Sequence, residues 1–119
     1  MKIVSIRKTA AEPLIHSVFT GPDVTRQLLA PANSNFEVTM VNFGKGVQNR
    51  FHAHDSEQIL IVTAGEGIVA TKNEERTVSE GDVIFIPPGE AHWHGAASHA
   101  EFSHIFIQRK NSVLTQIEE

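Results

Sequence analysis

The chain has no cysteine. That single absence excludes disulfides, thiolate zinc sites and a thiol nucleophile. No apolar run approaches the length of a membrane span. A basic excess is missing too, since 10 Lys and Arg stand against 14 Asp and Glu for a net charge of -4. A nucleic-acid partner would call for a basic stripe. The opening Met1-Lys2-Ile3-Val4-Ser5-Ile6-Arg7-Lys8 is charged too early, and lacks the apolar centre of a secretory signal. These absences lead to the expectation of a cytoplasmic protein that meets neither nucleic acid nor membrane. With 119 residues, 40% of them hydrophobic and 20% charged, one soluble domain with its own core is expected.

What is present is a series of short apolar segments between turn residues. Residues 3–6 and 14–19, parted by a polar run, are expected as edge strands or as an arm reaching a partner subunit. Val24-Thr25-Arg26-Gln27-Leu28-Leu29 reads equally as a strand or a short helical turn. Phe36 to Phe43 alternates and is rich in branched and aromatic residues, which suits a strand. The most apolar segment, 58–64, reads as a central strand. Gly65-Glu66-Gly67 is expected to turn the chain so that 68–71 runs back, with a hairpin loop at 72–75. Further strands are expected at 76–79, 83–86 and 102–108, and the tail from Asn111 as a short helix or a frayed end. Many short strands without a long amphipathic helix indicate an all-β sandwich or barrel. Phe43, Leu60, Val62, Phe85 and Phe106 are expected in its core or pocket.

Histidine carries the chemistry. His52 and His54 lie one residue apart just before the central strand, and on an extended chain they project from the same face. By itself this pair also fits two unrelated strand or loop histidines. A second cluster, His92-Trp93-His94, follows an apolar strand and the turn Pro87-Pro88-Gly89 in the same manner. Two such walls can chelate one metal. Trp93 should face away from the two histidines beside it. His104 shares a face with Phe102 and Phe106, so it is either a pocket residue or a hydrogen-bonded core histidine. His94 is either in the pocket or on the surface. His99, in a loop of small residues, reads as solvated, and His16 as structural.

At these residues the sequence resembles the cupin superfamily. Gly46, His52, His54 and Gly65 fall on its first motif, G-x5-H-x-H-x(3,4)-E-x6-G. Gly81, Pro87, Gly89 and His92 fall on its second, G-x5-P-x-G-x2-H-x3-N. The resemblance covers roughly residues 36–108. It implies a cupin-type double-stranded β-helix, a jelly-roll barrel, with 1–35 as an N-terminal arm with edge strands and 109–119 as a tail. Two positions depart from the pattern: Gln58 stands where the first motif has glutamate, and Ala96 where the second has asparagine. Glu57 is adjacent, but strand parity admits only one of the two to a common site, and the resemblance selects Gln58.

The implied ligand set is His52, His54, Gln58 and His92 around one divalent transition metal: manganese, iron, nickel, copper or zinc. A closer likeness is to small bacterial cupins that include the manganese-dependent hydroxynitrile lyases and carboxymuconolactone decarboxylase-like relatives. That likeness rests on the runs 58–65, 81–83, 88–90 and 92–97, with His104 and Phe19-Thr20-Gly21. It implies His94 and His104 as proton-transferring residues and a lyase acting on a small organic substrate. A quercetinase-like dioxygenase and a non-catalytic small-ligand-binding cupin are the alternatives. A homodimer, with 3–19 as exchanged strands, is implied as well.

Overall fold

The computed structural model describes residues 1–118. They form ten strands: β1 (Glu12–Pro13), β2 (Val24–Leu28), β3 (Phe36–Phe43), β4 (His52–His54), β5 (Gln58–Thr71), β6 (Glu75–Ser79), β7 (Val83–Ile86), β8 (His92–Ala96), β9 (Phe102–Arg109) and β10 (Leu114–Gln116). One turn of 3-10 helix, Ile6–Lys8, precedes them. The result is the all-β jelly-roll barrel of the cupin type that was expected.

Strand β5 organises the barrel because it belongs to two sheets. Its first half pairs with β9 and β7, and its second half with β8 and β6, all antiparallel. From β9 the first sheet continues through β3 and β2 to β1, while from β8 the second continues through β4 to β10. The chain was expected to turn back where β5 instead crosses over. Gly65-Glu66-Gly67 does not turn the chain back: a register shift between Val62 and Ala64 bends the strand, which runs on to Thr71. A bulge of this kind raises local twist and lets one strand serve two sheets. The two glycines are there for close approach. A Cβ on Gly65 (φ 77°) would overlap Glu101 O, and one on Gly67 would strike the Phe102 ring and Gly95 O.

Register fixes what faces the interior. Opposite one another on the inner face lie Phe43 and Phe102, Val41 and His104, Thr39 and Phe106, and then Val62, Leu60 and Gln58 of β5. Val24, Val41, Phe43, Val62, Val78, Ala96 and Phe102 pack as one core cluster. Full burial of each large apolar side chain is worth about 1.5–3 kcal/mol. Polar residues share this face only from His104 toward one end, where the core gives way to a cavity.

Several expectations are corrected. Segments 3–6 and 14–19 are not strands; the edge strand is Glu12–Pro13, where Pro is tolerated because only one side is paired and Glu12 meets Arg26 at 2.8 Å. Val24–Leu28 resolves as strand, drawn out by pairing along β3. Through Glu118 the tail is neither helical nor frayed, Glu119 lying outside the described residues: β10 pairs with β4, with Gln116 opposite His52 and Leu114 opposite His54. Asp55 Oδ1 pins it by accepting from Val113 N–H and Arg109 Nη2 at 2.8 and 2.9 Å. Phe85 is not core; parity turns it outward at 63% exposure, while Ile84 and Ile86 face inward. Among the described residues no helix is long and apolar enough to cross a membrane.

Candidate metal centre

The two histidine clusters meet across a strand pair. β4 and β8 are neighbours, with His52 directly opposite His92. Their ring centroids lie 4.4 Å apart, and His54 completes a triangle at 5.1 Å from His52 and 5.7 Å from His92. One ring nitrogen from each of the three falls within 4.8 Å of the others, and all three side chains are buried. Parity puts Phe51, Ala53 and Trp93 on the opposite faces, half-buried.

Backbone carbonyls decide which nitrogen each ring presents. His52 Nδ1–H donates to Arg50 O at 2.7 Å, and His92 Nδ1–H donates to Glu90 O at 2.9 Å. Each neutral ring therefore keeps its lone pair on Nε2. His92 Nε2 is buried without any partner, as are both ring nitrogens of His54 and Oε1 of Gln58. The Gln58 amide donates through Nε2 to Gln108 Oε1 at 3.1 Å, so its oxygen is the free end. Glu57, one residue away, is exposed. Buried polar atoms are nearly always paired, and a cluster of unpaired lone pairs needs a reason. His92 Nε2, Gln58 Oε1 and the unprotonated nitrogen of His54 are electron-pair donors, the complement of a cation.

Burial is the main influence on these rings. Desolvation, then the neighbouring His92, holds His52 down to about 3 and His54 to about 4. Burial lowers His92 as well, against its hydrogen bond to Glu90. The imidazoles are thus neutral at neutral pH, the form that can ligate a metal.

His94 and His104 extend the cluster. The rings of His94 and His104 meet edge-on at 4.8 Å, and His94 stands 5.8 Å from His52 and 5.7 Å from His92. Both are fully enclosed, with Phe43 against each and Phe102 against His104. Desolvation, helped by the adjacent His104, pushes His94 well down, and desolvation takes His104 to about 4. His104 has no hydrogen-bond partner on either ring nitrogen, unlike a satisfied core histidine. A cavity of about 460 Å³ is lined by His52, His54, Gln58, His94 and His104, with apolar walls that include Phe43 and Phe106.

Among the cavity residues that were not foreseen is Asn49. Buried Asn49 clamps His94: its N–H donates to His94 O at 2.9 Å, its Oδ1 accepts the His94 N–H at 2.8 Å, and its Nδ2 lies 3.3 Å from His94 Nε2. The same amide nitrogen lies 3.5 Å from His94 Nδ1, so it addresses the ring through both nitrogens and does not select a tautomer. A polar residue three before His52 gave no sequence signal, because its partner is 45 positions away. His16 and His99 stand outside the cluster. His16 is exposed and accepts the Val18 N–H through Nδ1 at 2.9 Å, and exposed His99 sits 3.4 Å from Glu66.

The cupin-domain family profile matches residues 39–107. The chain is 38% identical over 99 residues to an (R)-mandelonitrile lyase of Granulicella tundricola, covering 81% of this chain and 67% of that one. It superposes on a cupin-like protein of Thermotoga maritima at a TM-score of 0.85 and 31% identity, over 97% of this chain and 90% of the other. A polyketide cyclase of Streptomyces resistomycificus shares the fold at a TM-score of 0.88 and 18% identity, over 100% of this chain and 87% of that one. The barrel, the paired histidine strands and the family match together place this chain in the cupin family.

Proposed function

We propose that the protein binds one divalent transition metal through His52, His54, His92 and Gln58, and that it is a lyase cleaving a small 2-hydroxynitrile into an aldehyde and hydrogen cyanide. The observation that carries the first part is the set of buried, unpartnered lone pairs. The kinship to a mandelonitrile lyase supports the second. A divalent ion among uncharged donors supplies a positive centre for a developing anion.

The chain's own residues account for the proton. His104 is neutral, with both nitrogens unengaged, and is the base. It takes the hydroxyl proton; the O–H electron pair forms the carbonyl, and the pair of the carbon–carbon bond leaves with cyanide. His94, whose backbone Asn49 holds through both its N–H and its C=O, supplies an N–H to the departing anion. The proton held by His104 then passes to cyanide, so that aldehyde and hydrogen cyanide balance the substrate. Phe43 and Phe106 keep the cavity apolar, which favours an aryl or alkyl substituent and limits water.

The test combines elemental analysis of natively purified protein with aldehyde release from mandelonitrile. Stoichiometric metal, loss of turnover on chelation and recovery on adding the ion back are expected. His104→Ala should slow turnover by about 10²–10⁴-fold. Turnover that survives complete metal removal would refute the reading. Oxygen uptake during turnover would replace the lyase with a dioxygenase, and bound metal without turnover would leave a small-ligand-binding cupin.

A further inference from the structure

Metal binding at this site requires Gln58 to present its oxygen, not its nitrogen, to the histidines. An amide has two ends of nearly equal size, so packing does not choose which end faces the histidines; hydrogen bonding does. In the metal-free protein the cavity-facing imidazole lone pairs would draw the NH2 end of Gln58 toward them, presenting N–H where a cation must bind. Something has to work against that.

Three aligned residues do so. Glu37 of β3, Gln108 of β9 and Gln58 of β5 occupy one register row, Gln108 standing opposite both of the others. All face inward and line the cavity. Gln108 Nε2 donates to Glu37 Oε2 at 3.0 Å, and Gln58 Nε2 donates to Gln108 Oε1 at 3.1 Å. A carboxylate has acceptors only. Facing it, Gln108 must turn its NH2 toward Glu37 and its oxygen toward Gln58. Gln58 must then turn its NH2 toward Gln108, which leaves Oε1 on the histidine side, where it is found buried and unpartnered.

We propose that Glu37 and Gln108 are positioning residues that set the polarity of the Gln58 amide, and that Glu37 is the fixed end from which this polarity is read. The proposal rests on the metal site argued above. Outer hydrogen-bond partners of metal ligands are commonly worth about 10–100-fold in affinity. Gln108→Leu removes the acceptor for Gln58 Nε2, and Glu37→Leu removes the carboxylate that orients Gln108. Exchanging the two, Glu37→Gln with Gln108→Glu, keeps the polarity: the new carboxylate accepts from both amides.

The experiment measures affinity of metal-free protein for Mn(II) and for Zn(II) by competition with a chelating indicator, with thermal unfolding in chelator as a check on folding. Each single leucine variant should bind about 10–100-fold more weakly than the unaltered protein, and the exchanged pair should match or exceed it. A folded leucine variant that binds as tightly as the unaltered protein overturns the proposal. So does an exchanged pair as weak as the single variants. If Gln108→Leu does not fold, Glu37→Leu and the exchanged pair decide between the same two outcomes. Unaltered protein that takes up neither ion removes the metal site itself, a result distinct from tight binding by the variants.

Discussion

Acid should unfold the metal-free protein through its buried imidazoles before the carboxylates titrate. Burial holds His52, His54 and His104 at about 3, 4 and 4, whereas each titrates near 6.5 once the chain unfolds. Folded pKa values below the unfolded one mean that stability is complete above pH 6.5 and is lost as pH falls toward 4, because the unfolded chain takes up protons that the native state refuses. Well below pH 6.5 each histidine contributes about 1.4 kcal/mol per pH unit, and integrated through the titration these three remove about 4 kcal/mol between pH 7.5 and 5.5. His92 and His94, also lowered by burial, act in the same direction. Against a domain stability of about 5–15 kcal/mol this is a large share. Trp93, the only tryptophan and half-buried beside His92 and His94, reports unfolding by fluorescence. Urea titrations in chelator at pH 7.5, 6.5 and 5.5 give the slope, and a saturating divalent ion should move the loss to lower pH by occupying the lone pairs. A change under about 1 kcal/mol from pH 7.5 to 5.5 would mean that these rings are not buried neutral, and would refute the reasoning.

Three further outcomes are expected. Gln58→Ala should lose bound metal far more readily than Glu57→Ala, because Gln58 is buried in the cavity and Glu57 is exposed; equal metal content by elemental analysis would undo the parity assignment. Gly95→Ala should cost about 1–3 kcal/mol or more in urea unfolding, since a Cβ there meets Gln48 backbone and Val47 O rather than a flexible side chain; an unchanged midpoint would contradict that packing. The outer face of the first sheet carries Ile59, Ile61, Ile105 and Ile107 beside exposed Val83 and Phe85, and a second copy of the chain is expected to cover it. Light scattering should then give a dimer that Phe85→Lys shifts toward monomer, and a monomeric unaltered protein would exclude it.

The parts of the molecule legible in the sequence were those governed by period and parity. β3 and β7 begin and end where their branched and aromatic runs meet turn residues, Asn35 and Gly44 for one and Asp82 and Pro87 for the other. Parity separates Gln58 from Glu57 and Trp93 from its histidine neighbours. What was not legible depended on partners distant in the chain. Gly65 and Gly67 look like turn residues until Glu101, Phe102 and Gly95 are seen pressed against them. The tail has no strand signature of its own and is extended because β4 offers it an edge. Asn49, Glu37 and Gln108 are ordinary polar residues in the sequence. Their roles come from registers that join positions 45 to 71 apart.

The choice of an amide at position 58 ties these observations together. A carboxylate there would bring a full charge into the enclosed cluster, to be buried whenever the metal is absent and to weaken the pull of the metal when it is present. Gln58 avoids both effects but could present either end. Glu37 resolves this from the cavity mouth, where it is only half-buried and still partly solvated, so its charge escapes the full cost of burial. Two in-register amides carry its direction inward without carrying its charge to the ligand position. Orientation and electrophilicity, which a direct carboxylate ligand would set against each other, are in this way assigned to different residues of one row across three strands.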